Sequence, residues 1–124
     1  MICLSVFTLW GGAIQNDDQF KGAVASIGKE NKLVLMMYTT DDCPECAYMK
    51  QKVFHDAAVE PYLNRYFVVI EKNVHTSKLP EGYDFFGIPT MFFIDKGGNK
   101  KETLVGSKRA QPFLNELRRI RGIK

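Results

Sequence analysis

Two cysteines, Cys43 and Cys46, are the residues of this 124-residue chain best placed to do chemistry. A close pair in a chain with only three cysteines is more often redox-active or metal-binding than a structural staple. Residues three apart in a helix share a face, close enough for a disulfide to form. Because the ring between them is small and closes easily, the spacing predicts a bond that forms and breaks reversibly.

The elements around this pair must place it at the start of a helix. Asp42 is predicted to cap that helix, and Pro44 suits its first turn. Free N–H groups and the helix dipole stabilise a thiolate there, so we expect a lowered pKa for Cys43, the exposed nucleophile. Cys46 lies one turn further in and is expected to be buried. It would be the resolving thiol, which attacks the mixed disulfide and releases the substrate.

Three neighbours are predicted to tune the pKa of the nucleophile: Asp42, Pro44 and Glu45. Negative charge close to a thiol raises its pKa and opposes the helix dipole, although acidic residues also suit a first helical turn. We therefore expect the pKa of Cys43 to be lowered only moderately. That balance favours a reductase or isomerase over a strong oxidant.

Hydrophobic periodicity predicts alternating helices and strands. In chain order these are a helix over 20–28 capped by Gly28, a strand over 33–38, a helix from Cys43 with a kink or second short helix at Glu60-Pro61, a strand over 67–70, a loop over 75–84, strands over 91–94 and 102–106, and a helix from Gln111. Continuous apolar runs predict strands buried on both faces by helices. The early alternation predicts a parallel pair, and the turn at 95–99 predicts a hairpin.

A buried strand running into Cys43-Pro44-Glu45-Cys46, with Gly87-Ile88-Pro89-Thr90 about forty residues later, resembles the thioredoxin superfamily. It is similar in particular to small bacterial exported thioredoxin-like proteins and to reductase domains of the periplasmic disulfide-handling system. The resemblance covers about residues 32–120. It implies an α/β thioredoxin fold, with a central mixed sheet of four to five strands flanked by helices.

The resemblance also implies an activity: a thiol–disulfide oxidoreductase that reduces or isomerises disulfides in exported proteins. The expected partners are protein thiols or disulfides and an upstream electron-donor protein, with no cofactor beyond the Cys43–Cys46 disulfide. Ile88, Pro89 and Thr90 are implied to bind substrate, with Pro89 cis and the backbone of Ile88 offered as a short extra strand. A trans proline that starts a strand is the alternative. A thioredoxin-fold binding or chaperone module without redox turnover also stays open.

Two positions depart from thioredoxin itself. Asp42 stands where thioredoxin has Trp, and Met37 where it has a buried Asp that assists the resolving cysteine. Glu71 or Lys72 on the neighbouring strand could replace that proton acceptor, or could simply form a polar strand end. These departures indicate a specialised relative.

Residues 1–13 are apolar and nearly uncharged, which predicts a signal peptide followed by a thioredoxin-like domain over 14–124. The segment is too short to span a bilayer, so we expect no membrane insertion of the mature domain. No Lys or Arg precedes the apolar run, so an ordinary first strand or helix is the alternative. Periplasmic or other export is predicted, with a cytoplasmic location as the alternative. Cys3 has no role if the leader is removed.

Other ligands and partners fit the sequence less well. Zinc would need two more ligands, and only His55, His75 and Cys3 are available, without a second closely spaced pair. Methionines suit Cu(I), but those at 36, 37 and 49 lie on apolar stripes typical of a core. The net charge of +3 and the basic tail at 118–124 are typical of a helix end, so no nucleic-acid partner is expected. No dimerisation segment is evident, and we expect a monomer.

Overall fold

Three apolar runs and one mostly polar run form the strands of this protein. The computed structural model describes residues 12–123, with side chains of the first helix described only from residue 19. The elements are α1 (Gly12–Ser26), β1 (Leu33–Thr39), α2 (Pro44–Tyr48), a π-helical turn (Met49–Val53), α3 (Val59–Tyr66), β2 (Phe67–Asn73), β3 (Thr90–Ile94), β4 (Lys100–Val105) and α4 (Ala110–Arg121). The predicted leader lies outside the described residues except for 12–13, which begin α1.

The strands form one mixed sheet in the order β2-β1-β3-β4. β1 runs parallel to β2 and antiparallel to β3, and β3 pairs antiparallel with β4. The predicted parallel pair, hairpin and mixed sheet are therefore confirmed. The expectation that 67–70 is buried on both faces is wrong, because β2 lies at a sheet edge. Helices cover an edge strand incompletely, and Val69 there is 41% exposed.

Alternating side chains divide the core between the two faces of the sheet. One face packs against α2, α3 and α4, with Leu35, Met37 and Phe93 from the strands and Phe113 from α4. The other face packs against α1 and the loop over 74–89, and its strand residues are Val34, Met36, Tyr38, Ile70, Phe92 and Ile94. Within residues 12–123, no helix has both the length and the apolar character needed to cross a membrane.

Helix boundaries differ from the predictions in two places. α1 starts at Gly12 rather than at residue 20 and ends at Ser26, so Gly28 lies in the turn beyond it. The second helix breaks over 54–58, after a π-helical turn closed by the bond from Phe54 N–H to Met49 C=O. The predicted second short helix exists, but Pro61 lies inside its first turn. Proline fits there because first-turn N–H groups have no partner within the helix.

The loop over 74–89 is held to the sheet by aromatic contacts. Tyr83 is buried and meets Phe92 edge to face, with ring centroids 5.2 Å apart. The buried hydroxyl of Tyr38 donates to the carbonyl of Tyr83 at 2.9 Å. Burial, followed by the charges of Tyr83 and Asp84, raises the pKa of Tyr38, so the hydroxyl keeps its proton and remains a donor. The loop therefore packs as a fixed part of the second core.

Two glycines should respond to alanine in opposite directions. Gly106, at the end of β4, has a φ of +91°, where a side chain is strained. We expect Gly106→Ala to lower the free energy of unfolding by about 1–2 kcal/mol. Gly22 lies inside α1, and a Cβ there would meet nothing within 4 Å. Gly22→Ala should therefore add up to about 1 kcal/mol through helix propensity. Urea unfolding of both variants checks this, and shifts of the same sign would contradict it.

Candidate active site

Cys43 and Cys46 form a disulfide at the start of α2, where β1 leads into the helix. Their Cα atoms are 5.2 Å apart. Cys43 is half-buried, whereas Cys46 is only 1% exposed and packs in the core beside Met37 and Met49. The more accessible sulfur is thus that of Cys43, in agreement with the order of burial predicted for the pair.

Cys43 itself caps the helix, so the prediction that Asp42 is the cap is wrong. Pro44 occupies the first helical position, which makes the preceding residue the N-cap. Cys43 has extended backbone angles, φ −135° and ψ 93°, and its Sγ accepts the N–H of Cys46 at 3.1 Å. An N–H directed at this sulfur also favours negative charge on it, because hydrogen bonds to the charged form of a group stabilise that form.

The acidic residues near the pair are tied to neighbouring elements. Glu45 is exposed, and its carboxylate accepts a hydrogen bond from the hydroxyl of Ser107 in the β4–α4 loop. Asp41 accepts the side-chain amide of Asn73 at the end of β2, at 2.7 Å. Asp42 is exposed. The carboxylate of Glu45 therefore ties α2 to the β4–α4 loop, and that of Asp41 ties the β1–α2 loop to the end of β2.

The implied substrate-binding residues lie where the loop meets β3: Ile88 and Pro89 precede the strand, and Thr90 is its first residue. The Ile88–Pro89 peptide bond is cis, as the resemblance implied, and the carbonyl of Pro89 accepts the N–H of Gly106 at 2.7 Å. Thr90 is 1% exposed, and its hydroxyl donates to the carbonyl of Gly87. The side chain of Thr90 thus holds the loop and is not available for direct substrate contact in this conformation.

The backbone of Ile88 is open for pairing. No hydrogen bond joins its N–H or C=O to any other described residue. Its side chain is partly buried and packs against the same core as Cys43 and Cys46. Free main-chain groups beside a disulfide are what an added substrate strand needs.

The two candidates for a proton acceptor lie on different faces of the sheet. Lys72 is buried in register with Tyr38, whose side chain belongs to the second core, so it lies on the face opposite Cys46. Glu71 pairs with Met37 and shares the face of Cys46. Of the two residues, only Glu71 therefore lies on the side of the sheet that faces Cys46.

The carboxylate of Glu71 is already engaged by two donors. It accepts the ammonium of Lys50 and the hydroxyl of Thr39, each at 2.8 Å. Burial raises the pKa of Glu71, but the hydrogen bonds from Lys50 and Thr39 outweigh it and hold the pKa below its usual value. Glu71 is therefore a carboxylate at neutral pH.

Replacing Glu71 by glutamine should flatten the loss of stability in acid. Because the folded pKa is lowered, the stabilisation is present above about pH 4.3 and is lost as pH falls through the folded value. Glu71 is 41% exposed at its side chain, and solvent screening limits the effect to about 0.2–1 kcal/mol between pH 7 and pH 3. Urea unfolding at both pH values measures it. Glu81→Gln, at an exposed turn, is the control, and an equal response of both variants would contradict the assignment.

Other residues weighed from the sequence lie apart from this site. His55 is exposed and 3.5 Å from Glu60, and His75 is exposed in a turn after β2. Among the side chains that the structure describes, from residue 19 onward, no group of three or more His, Cys, Asp or Glu is placed to hold a metal ion. Cys3 lies outside the described residues. The contact of Ser107 in the β4–α4 loop with Glu45 was not predicted from the sequence. The signal for a turn there was Gly106, directly before Ser107 at the end of the predicted hairpin strand.

A four-stranded mixed sheet with a disulfide at the first turn of the helix after its central strand, beside a cis proline, defines the class of thioredoxin-fold dithiol proteins. The family described as "Thioredoxin-like domain" matches residues 20–121. The chain therefore belongs to the thioredoxin-like domain family.

Similar solved structures and sequence relatives of this chain include thioredoxins and DsbD proteins. A thioredoxin from Thermus thermophilus is 31% identical with a TM-score of 0.66, over 81% of this chain and 82% of that one. The oxidised C-terminal domain of Neisseria meningitidis DsbD is 25% identical with a TM-score of 0.64, over 83% and 94%. The thiol:disulfide interchange protein DsbD of Vibrio vulnificus is 29% identical over 114 residues, 86% of this chain but 19% of that protein. The chain thus spans about a fifth of the curated relatives' length.

Proposed function

We propose that this domain reduces or isomerises disulfides in exported proteins by dithiol–disulfide exchange. The observation that carries the proposal is the Cys43–Cys46 disulfide at a helix start, with Cys43 half-buried and Cys46 fully buried. Ile88, whose backbone hydrogen-bonds to no other described residue, packs against the same core as Cys43 and gives a substrate strand a place to pair. No cofactor is needed, because the pair itself carries two electrons.

The exchange takes two steps. The thiolate of Cys43 attacks one sulfur of the substrate disulfide, which forms a mixed disulfide and releases the other sulfur as a thiolate. Cys46 then passes its proton to the released substrate thiolate and attacks Sγ of Cys43, which breaks the mixed disulfide and releases the second substrate sulfur as a thiolate that takes a proton from water. The substrate disulfide gains two electrons and two protons, and Cys43–Cys46 is oxidised. A dithiol donor protein restores the pair by the reverse exchange.

Roles of the surrounding residues follow from their positions. The N–H of Cys46 and the start of α2 stabilise the thiolate of Cys43, and Pro44 fixes the helix start that aims them. Asp42 and Glu45 add negative charge nearby, which opposes that stabilisation. Ile88 and Pro89 receive the substrate, and Thr90 holds their loop in place. Nothing in this scheme requires a second copy of the chain, and we propose a monomer.

Export is supported by two independent features. The apolar segment 1–13 has the length of a signal-peptide core, and its removal would leave the domain 14–124. The resemblance of the Cys43-Pro44-Glu45-Cys46 motif to exported thioredoxin-like proteins supports a periplasmic location and an electron-donor partner, and the relatives that the chain matches are thiol:disulfide interchange proteins named DsbD. The matched segment of those proteins corresponds to this single domain.

An equilibrium titration tests the proposal. Purified protein is poised in dithiothreitol buffers, and alkylation followed by mass measurement counts the free thiols of Cys43 and Cys46. We expect one two-electron transition, with a potential closer to about −270 mV than to about −120 mV, and catalysed reduction of insulin. A potential as oxidising as the second value would overturn the reductase poise. Absence of exchange would favour a binding or chaperone module.

A further inference from the structure

Phe86 is the most exposed large apolar side chain among the described residues, at 96%. It lies in the loop that leads into the cis proline, two residues before Ile88. Phenylalanine is usually buried, and exposed apolar surface beside a reactive site is typical of a contact with a partner.

The outward direction of Phe86 follows from its neighbours. Tyr83 is buried against Phe92, and Phe85 packs edge to face on Tyr38 with ring centroids 5.6 Å apart. These two rings fill the space between the loop and the sheet. Phe86, between residues packed in this way and the cis proline, is instead 96% exposed and lies in solvent.

Val105 continues the apolar surface on the edge strand β4. It is 58% exposed, and the backbone at Gly87 passes so close that a Cβ there would lie 3.3 Å from its Cγ1. A groove of about 300 Å³ runs between the loop and β4 and is lined by both Phe86 and Val105. One end of this groove therefore reaches the segment that precedes the cis proline.

The charged side chains that line the groove do not favour a charged partner. The ammonium of Lys100 donates to the carbonyl of Gly82 at 2.9 Å and lies 5.1 Å from the ring centroid of Tyr83, so it is already engaged. Asp84 is exposed at the rim, and Thr103 is neutral. The groove fits an uncharged apolar side chain best.

We infer that Phe86 and Val105 form a docking site for an apolar side chain of the substrate segment that pairs with Ile88. This deepens the proposed function and depends on it. Phe86 is two residues from Ile88 along the chain, so their Cα atoms are at most about 7 Å apart. The docked residue of the substrate therefore lies within about three positions of the one that pairs with Ile88. The preferred substrate is an extended segment with a leucine-sized or aromatic residue close to its cysteine.

A peptide series tests this site. Each peptide carries one cysteine as a mixed disulfide with a chromogenic thiol, in a Ser/Thr background, and one leucine is moved from three residues before the cysteine to three after it. With the reduced wild type, we expect one leucine position to raise the second-order rate constant about tenfold over the leucine-free peptide. Phe86→Ser should remove that preference, and Phe86→Leu should restore part of it.

Two controls separate the docking site from the chemistry. The small chromogenic disulfide alone should react equally with wild type, Phe86→Ser and Val69→Ser, because Val69 is an exposed apolar residue on β2, at the opposite edge of the sheet. Val69→Ser should keep the leucine preference. Equal rates for all peptides with wild type, or a preference kept in Phe86→Ser, overturns the docking site while the proposed function stands. If the wild type reacts with neither the small disulfide nor any peptide, the proposed function fails and the docking site with it.

Discussion

Replacing Cys43 by serine should lower the rate of disulfide exchange by at least about a thousandfold, to the uncatalysed background. A serine hydroxyl keeps its proton at neutral pH and cannot form a stable bond to a substrate sulfur. Cys43 also caps α2 through its Sγ, and serine is a good N-cap, so the helix start should survive the change. The rate of insulin reduction by the reduced protein measures the loss.

Cys46→Ser is the matched variant, because it removes the same disulfide and leaves the accessible sulfur in place. It should lose turnover to a similar extent but accumulate a mixed disulfide with the substrate, visible as an added mass that dithiothreitol removes. Equal trapping by both variants would contradict the assigned roles. Trapping by Cys43→Ser alone would reverse them.

Replacing Phe113 by alanine should lower the free energy of unfolding by about 3–5 kcal/mol. Phe113 on α4 is fully buried and stacks on Phe54, with ring centroids 5.7 Å apart, in the core that also contains Cys46. The change removes a whole ring from a packed core that can collapse only partly. Because domains are stable by about 5–15 kcal/mol, the variant should be marginal at room temperature. Urea unfolding of the oxidised protein measures the difference.

Phe86→Ala is the control of the same residue type. Phe86 is almost fully exposed, so its removal should change the free energy of unfolding by no more than about 0.5 kcal/mol. A similar loss in both variants would show that the loop carrying Phe86 contributes to the core. A loss below about 1 kcal/mol for Phe113→Ala would contradict the packing described for α4.

The sequence alone predicted the architecture well where periodicity was strong. The apolar run at 33–38 and the 91–94 run became the two central strands, and Phe113, Leu114, Leu117 and Ile120 form the buried face of α4, as their spacing predicts. Helix ends were predicted less well. Gly28 lies just beyond α1 and donates its N–H to the carbonyl of Ala25 at 3.2 Å, but the cap of α2 moved from Asp42 to Cys43, because capping depends on backbone angles that several residue types can adopt.

Cys43 and Cys46 were identified from type and spacing, since a helix places residues three apart on one face whatever surrounds it. Tertiary structure decided which groups accompany them. It placed Lys72 on the far face of the sheet and Glu71 on the near one, buried Thr90, and left Phe86 in solvent beside Ile88. These outcomes depend on the strand register and on which aromatic side chains occupy the core. Contacts between residues distant in sequence determine both, and local patterns do not encode them.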